Sequence, residues 1–209
     1  MDIIEKFREV TREVKTPVVI ELGGCDGYHT NIMCKVLSES HLYFIYHVLE
    51  PVDELSKSIS RVMEWCKNVE VSTLAVSSKT GEMTLYKSDA KYYGSSSIRK
   101  PKRAFEFWSD MNFQESVCNA ITLDDFVHSK QIDSRIIDWI WADVQGAEKD
   151  LIEGASKTLK NVRYFYTEFM EYEVYEGQVF DFQSLCDMLP DFEVVYRFEH
   201  DVLFKNKNL

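Results

Sequence analysis

Acidic side chains follow several apolar runs of this sequence, at points where an acid contributes nothing to packing. Glu50, Asp143 and Glu168 each end a run rich in β-branched and aromatic residues, and Glu21 precedes a glycine-rich turn that follows another such run. Runs of this composition are typical of buried strands. Carboxylates at strand ends can accept hydrogen bonds from hydroxyl groups or remove a proton as a general base.

The glycine-rich turn, ELGGCDG, follows the first apolar run and precedes a helical pattern. Glycine permits a positive φ and a close approach of the backbone to a ligand, so we expect a side chain at Gly23 to occupy the ligand's space. The next helix offers free N–H groups to a carboxylate. Cys25 stands where the dinucleotide pattern GxGxxG has its second glycine, so ExGxxxG instead indicates a turn that binds S-adenosylmethionine (SAM). A plain strand-to-helix turn is the alternative.

Glu50 ends the second apolar run, directly before Pro51 and 27 residues after Gly23 (50 minus 23). An acid at this point of a nucleotide-binding fold accepts hydrogen bonds from a ribose diol. A favourable charge at the N-terminus of the next helix is a second interpretation. The two interpretations are compatible.

These residues are positioned by alternating strand and helix patterns, which predict right-handed crossovers and a mainly parallel sheet. We predict a single α/β domain over residues 1–209, doubly wound and Rossmann-like, with seven strands and an antiparallel C-terminal strand pair. Ligands bind such sheets at the carboxyl ends of the strands. The predicted strands are 17–22, 42–51, 69–77, 136–144, 162–170, 192–198 and 201–205, and the predicted helices include 1–16, 28–37, 52–66, 146–159 and 181–189.

Composition excludes several classes of function. The net charge of −11 disfavours duplex nucleic acid or an anionic membrane as a partner, and favours a neutral or polar small substrate. Five scattered cysteines without a CxxC pair indicate free thiols in a reducing compartment, so we expect a cytoplasmic protein. The first residues alternate charged with apolar side chains, which predicts neither a signal peptide nor a membrane span.

Several of these segments together resemble the FkbM family of class I, SAM-dependent methyltransferases, from the first strand to the helix after the fifth. ELGGCDGYHT resembles the family's first SAM motif, HVLEP its ribose-binding acid, and AVSSKTG a segment that leads into an added β-hairpin. AITLDDFV resembles its TLDDF element, and WADVQGAE its fourth motif, usually KIDVEGAE. The family often methylates sugar hydroxyls. The resemblance implies that SAM contacts Glu21, Gly23, Gly24, Asp26, Gly27, Thr30, Glu50, Pro51, Ala75 and Asp143.

Two positions depart from the family's pattern: Trp141 replaces the usual Lys, and Gln145 the usual Glu. A catalytic or substrate role of either missing residue does not carry over. The departures affect the identity of the acceptor more than SAM binding, since the first motif is intact. They also support a rival hypothesis, a non-catalytic SAM-fold domain in a larger glycan-building assembly. FkbM-like domains are often linked to glycosyltransferases, so the resemblance implies glycosyltransferase domains as a further partner.

Methyl transfer to an alcohol benefits from a general base. Asp143 is the first candidate, Glu168 the second, and His29, at the start of the helix beside the SAM turn, the third. A close pair of acids would raise one pKa toward neutrality. Asp143 could instead cap the following helix. The acids could also hold Mg²⁺ or Ca²⁺, although no tight carboxylate spacing requires a metal.

Residues 87–116 form the longest stretch without clear periodicity, which predicts a lid or an acceptor-binding loop. It combines aromatic residues and serines with a basic run from Arg99 to Arg103 that could meet a phosphate. A solvated amphipathic helix from Lys102 onward is the alternative. The expected function is therefore SAM-dependent O-methylation of a sugar hydroxyl, with a non-sugar small molecule as the other acceptor class.

Overall fold

The computed structural model describes residues 1–102, 110–132, 135–179 and 181–209. The helices of these ranges are α1 (Ile3–Arg12), α2 (Tyr28–Ser40), α3 (Asp53–Val62), α4 (Leu123–Ser129), α5 (Glu148–Glu153) and α6 (Phe182–Asp187). The strands are β1 (Val18–Leu22), β2 (Ile45–Leu49), β3 (Val69–Ser72), β4 (Ala75–Val76), β5 (Gly81–Ser88), β6 (Phe113–Ile121), β7 (Ile137–Ala142), β8 (Val162–Glu168), β9 (Phe192–Arg197) and β10 (Asp201–Asn206).

The central sheet has seven strands in the order β3-β2-β1-β7-β8-β10-β9. The first five strands in this order, β3, β2, β1, β7 and β8, are parallel to one another. β10 runs antiparallel to both β8 and β9. The predicted doubly wound fold with an antiparallel C-terminal pair is therefore confirmed. The strand order reverses between β1 and β7, and the carboxyl ends at this switch point form the crevice in which such folds bind ligands.

The predicted third strand, 69–77, is wrong in one respect, because it divides between two sheets. β3 joins the edge of the central sheet, and the chain then turns, with the Leu74 N–H donating to the Ser72 carbonyl at 3.0 Å. β4 pairs with β6 in a second, three-stranded sheet whose other member, β5, forms a hairpin with β6. This hairpin is the one that the family resemblance implied. The strands take both ends of the predicted loop 87–116, which leaves 89–112, and its possible helix from Lys102 falls largely outside the described residues.

Two apolar layers cover the central sheet. One is built around Ile20, Leu22, Ile140 and Phe165, and the other around Val19, Tyr46 and Trp139 together with α1 and α2. Because neighbouring strand residues face opposite layers, the sheet buries both faces, as its continuous apolar runs predict. No helix within the described ranges is long and apolar enough to cross a membrane.

The predicted N-terminal helix forms as α1 and is stabilised by a capping hydrogen bond and by a contact in the core. The Asp2 carboxylate caps it by accepting the N–H of Ile4 at 2.9 Å. Phe7 is fully buried, and its ring meets Trp139 edge-on with centroids 5.4 Å apart.

Removing the Phe7 ring should destabilise the fold. We expect Phe7→Ala to lower the free energy of unfolding by about 3–5 kcal/mol, because it loses buried apolar surface and leaves a cavity against Trp139. Urea denaturation measures this change. Leu42→Ala, at a fully exposed leucine, is the control and should change stability by less than about 0.5 kcal/mol. An unchanged midpoint in Phe7→Ala would show that α1 does not contribute to the core.

Candidate functional site

A cleft opens at the carboxyl ends of β1, β2 and β7. The cleft combines apolar walls with two carboxylates and the loop after β5. Of the residues predicted from the sequence, the cleft is lined by Gly23, Glu50, Pro51, Ala75 and Asp143. Its lining also includes Tyr93 and Gly94 of the predicted acceptor-binding loop, and Cys25 and Gln145, to which sequence reasoning gave no role in the site.

The glycine turn is required by packing between strand ends. Gly23 has φ +84°, and a Cβ built there would lie 1.9 Å from the backbone oxygen of Asp143. A Cβ at Gly24 would lie 2.4 Å from the Cγ1 of Val48. The expectation that a side chain at Gly23 would fill only ligand space is therefore wrong, because it would strike β7 first. A substitution there tests the fold and not ligand binding.

Glu50 lies at the end of β2 with its side chain 4% exposed. Its Oε2 accepts the Cys25 N–H and its Oε1 accepts the Val52 N–H, both at 2.9 Å. Burial raises the pKa of Glu50 to about 7, and the nearby Asp143 charge adds to this effect. The carboxylate thus holds the glycine turn and the start of α3, and each oxygen keeps capacity for one more donor facing the cleft.

Two residues that the family resemblance associates with SAM, Glu21 and Thr30, lie beneath the cleft. Glu21 is 1% exposed, and its Oε2 accepts the Thr30 hydroxyl at 2.7 Å and the Tyr46 hydroxyl at 2.8 Å. Burial raises the pKa of Glu21 to about 7. These bonds fasten α2 to the sheet, and neither residue lines the cleft.

Three further predicted residues also lie outside the cleft lining. Gly24 and Gly27 pack against Ile59 of α3. Asp26 is exposed at the mouth, where it accepts the Tyr28 N–H at 2.9 Å and the Tyr93 hydroxyl at 3.2 Å. Asp26 therefore connects the glycine turn with the loop after β5.

Asp143 and Glu168 are brought together by the amide of Gln145. The Gln145 Nε2 donates to Asp143 Oδ1 at 2.6 Å and to Glu168 Oε2 at 3.1 Å. The Gln145 Oε1 accepts the Tyr175 hydroxyl at 3.1 Å. The sequence singled out Gln145 only as a departure from the family, and nothing in its periodicity indicated that Tyr175 would reach it.

The two acids share a hydrogen bond and interact strongly. Burial and the neighbouring Asp143 charge raise the pKa of Glu168 well above its usual range, and burial also raises the pKa of Asp143. The two acids therefore titrate as a coupled pair, in which loss of the second proton is disfavoured. The N-cap of α5 is Ala147, so the alternative that Asp143 caps this helix is wrong.

His29 lies at the exposed start of α2, next to the acid pair. Its ring centroid is 4.7 Å from that of Trp141, whose ring lies 4.3 Å from that of Tyr166. Partial burial lowers the pKa of His29, although the charges of Asp143 and Asp26 oppose the shift. The imidazole is therefore neutral near pH 7.

The basic run pairs with acids of the chain itself. Arg99 binds Asp150 at 2.6 Å, Lys100 lies 3.8 Å from Glu176, and Lys102 binds Glu173. Backbone bonds join the same two segments, from the Lys102 N–H to the Val174 carbonyl and from the Glu176 N–H to the Lys100 carbonyl. The described part of the run therefore fastens the loop after β5 to the segment after β8, and Arg103 lies outside the described residues.

The alternative that the acids hold a metal ion has no support in the part of the chain that the structure describes. Within those residues, no group of three or more His, Cys, Asp and Glu side chains is arranged to hold a metal ion. The acids of the site are instead satisfied by amide, hydroxyl and backbone N–H donors, as at Glu50 and Asp143.

Comparisons with known proteins agree with this geometry. The sequence profile of the methyltransferase FkbM domain matches residues 21–201. The 2-O-methyltransferase NoeI of Sinorhizobium fredii is 31% identical, over 94% of this chain and 82% of its own length.

Solved structures share the fold at low identity. The methyltransferase FkbM from Methylobacillus flagellatus superposes with a TM-score of 0.58 at 11% identity, and the match covers 97% of this chain but half of that one. An O-methyltransferase from Bacillus cereus, solved in complex with SAH, has a TM-score of 0.53 at 10% identity, over 98% of this chain and 80% of its own. The profile match and the NoeI relationship show that the chain belongs to the FkbM family of SAM-dependent methyltransferases.

Proposed function

We propose that this methyltransferase transfers the methyl group of SAM to a hydroxyl of a sugar, in a glycan or glycoconjugate. The observation that carries the proposal is the bridged pair of Asp143 and Glu168 beside the cleft. An alcohol oxygen becomes a good nucleophile only as its proton leaves, which a buried carboxylate can accept. The relationship to NoeI, whose name denotes O-methylation, and the resemblance to a family that often acts on sugars support the same acceptor class.

The cleft suits SAM by the chemistry of its lining. Glu50 offers two carboxylate oxygens to a ribose diol, next to Pro51. Leu74 and Ala75 provide an apolar wall of the kind that holds a flat base. Bound SAM supplies an electrophilic methyl group on a sulfonium centre.

The acids of the pair then have different tasks. Asp143, at the end of β7, accepts the proton of the acceptor hydroxyl. Glu168 hydrogen-bonds to Asp143, and Gln145 donates to both. Because Gln145 is itself fixed by Tyr175, the acids are held in place before any substrate binds. This arrangement supports a catalytic domain over the non-catalytic rival.

The cysteines and the net charge bear on where the protein acts and on what it binds. All five cysteines are free thiols in the structure, which supports a reducing, cytoplasmic compartment. The charge of −11 supports a small or glycan acceptor over nucleic acid. Association with glycosyltransferase domains rests on the family resemblance alone.

A turnover screen tests the proposed acceptor class. SAM should give singly methylated products with uncharged monosaccharides or oligosaccharides, detected by mass spectrometry. Simple alcohols and catechol serve as the non-sugar arm. Turnover of the non-sugar compounds alone would overturn the sugar assignment.

Glu50→Ala should weaken SAM binding by about 1.5–3 kcal/mol, the range for hydrogen bonds to a charged group. It also removes the partner of two backbone N–H groups, so some loss of stability is expected. Titration calorimetry below the unfolding transition measures the affinity. Glu54→Ala, on the exposed face of α3, is the matched control and should keep wild-type affinity. Wild-type affinity in a folded Glu50→Ala protein would leave Glu50 with only its structural bonds.

Asp143→Asn should lower kcat by about 10²-fold or more with SAM affinity nearly unchanged, because it keeps the shape of the side chain but removes the base. Steady-state kinetics and calorimetry on the same variant separate the two effects. A parallel loss of SAM affinity would assign Asp143 to SAM instead. Asp187→Asn, on the exposed surface of α6, controls for the substitution. Full activity of Asp143→Asn would transfer the role of base to Glu168.

Gln145→Glu should move the acidic limb of the kcat–pH profile upward by about one unit. A third carboxylate would raise the pKa of the pair further, so the base would lose its proton at higher pH. Gln183→Glu adds the same charge on exposed α6 and should leave the profile in place. An unshifted limb in Gln145→Glu would show that the pair does not set the pH dependence.

A further inference from the structure

A row of aromatic rings borders the acid pair. Tyr28 and His29 at the start of α2, Trp141 of β7 and Tyr166 of β8 contact one another in sequence, with centroid separations of 5.3, 4.7 and 4.3 Å. We call these four residues the aromatic row. It runs across the carboxyl edge of the sheet, outside the lining of the SAM cleft.

The row is buried at one end and open at the other. Trp141 and Tyr166 are 6% and 7% exposed, whereas Tyr28 is 64% exposed and His29 is also exposed. The buried rings therefore support the exposed pair from below. Exposed aromatic faces held in a fixed position are typical of ligand-contacting surfaces.

The row shares a face of the sheet with the proposed base. The Asp143 N–H donates to the Leu22 carbonyl at 2.9 Å, which continues the sheet ladder beyond β7. Trp141 and Asp143 are two residues apart on this extension, so their side chains leave the same face. The carboxylates of Asp143 and Asp26 both act electrostatically on the His29 ring, so acids lie near the exposed end of the row.

The charges around the row favour an uncharged ligand. The described charges that act on the His29 ring are the carboxylates of Asp143 and Asp26, and no Lys or Arg is among them. Partial burial also keeps the His29 ring neutral near pH 7. A phosphorylated or carboxylated acceptor would meet carboxylates without a compensating cation, whereas the hydroxyls of a neutral sugar can donate to them.

We infer that Tyr28 and His29 form the acceptor platform, on which an uncharged sugar ring stacks with its hydroxyls toward Asp143 and Asp26. The inference rests on the proposed sugar-hydroxyl transfer and names the surface and charge class of its substrate. It places the acceptor on the start of α2, in addition to the loop expected from the sequence.

Binding and kinetics of four variants test the platform: Tyr28→Ala, His29→Ala, His29→Phe and, as a control, Tyr43→Ala. Tyr43 is 60% exposed but precedes β2, at the opposite end of the sheet. Loss of either platform ring should raise KM for a neutral sugar by about 3- to 10-fold, the equivalent of one aromatic contact. SAM affinity should stay within about twofold of wild type, since neither ring lines its cleft, and His29→Phe should restore KM.

The probes are neutral disaccharides, glucose 6-phosphate and catechol, each tested for binding by ligand-observed NMR in the presence of SAH. Neutral sugars should bind more tightly than glucose 6-phosphate. Sugar binding that the ring variants weaken, without methylated product, would retain the platform and reject the proposed function. Absent sugar binding, stronger binding of glucose 6-phosphate or catechol, or unchanged KM in both alanine variants would overturn the platform. A fall in kcat at unchanged KM in His29→Phe would also overturn it and make His29 a catalytic residue.

Discussion

The site depends on how closely the end of β1 approaches the end of β7. The Leu22 carbonyl accepts the Asp143 N–H, and the backbone at Gly23 passes the Asp143 carbonyl with no room for a Cβ. This contact lies at the switch point of the strand order. It sets the distance between the glycine turn, which Glu50 holds, and the acid that ends β7. A shift of either strand would therefore move the glycine turn away from Asp143.

Buried carboxylates concentrate at the same point. Burial raises the pKa values of Glu21, Glu50 and Glu148 to about 7 each, and that of Glu168 still further. Isolated buried charges are costly, and the cost is offset here by hydroxyl, amide and backbone N–H donors. The protein thus keeps a set of acids with raised pKa values, and no Lys or Arg is among the described residues that line the cleft. The positively charged sulfonium of SAM is favoured in such surroundings, because a positive charge lowers the pKa values that burial has raised.

The sheet was predictable because its strands are short, continuous apolar runs whose ends carry acids or glycine. The division of 69–77 was not, since β4 pairs with β6, some 45 residues away in sequence, and local pattern contains no trace of that pairing. The position of Glu21 beneath the cleft could have been predicted from the sequence. It alternates with Ile20 and Leu22, so a period of two assigns it to the opposite layer from the Leu22 that lines the cleft. The bridging role of Gln145 was inaccessible, because it depends on Tyr175, in a segment without periodicity.

The joined loops after β5 and β8 have a consequence for the entropy of ligand binding. Backbone bonds pair Lys100 and Lys102 with Glu176 and Val174, and Pro101 bridges to Tyr175 as in a short antiparallel ladder. Flexible loops lose conformational freedom when they close over a ligand, and that loss subtracts from affinity. Here these contacts fix Lys100 and Lys102 before any ligand binds, close in sequence to Ile98, which lines the cleft. Ligand binding in the cleft therefore loses less affinity to the ordering of this part of the loop.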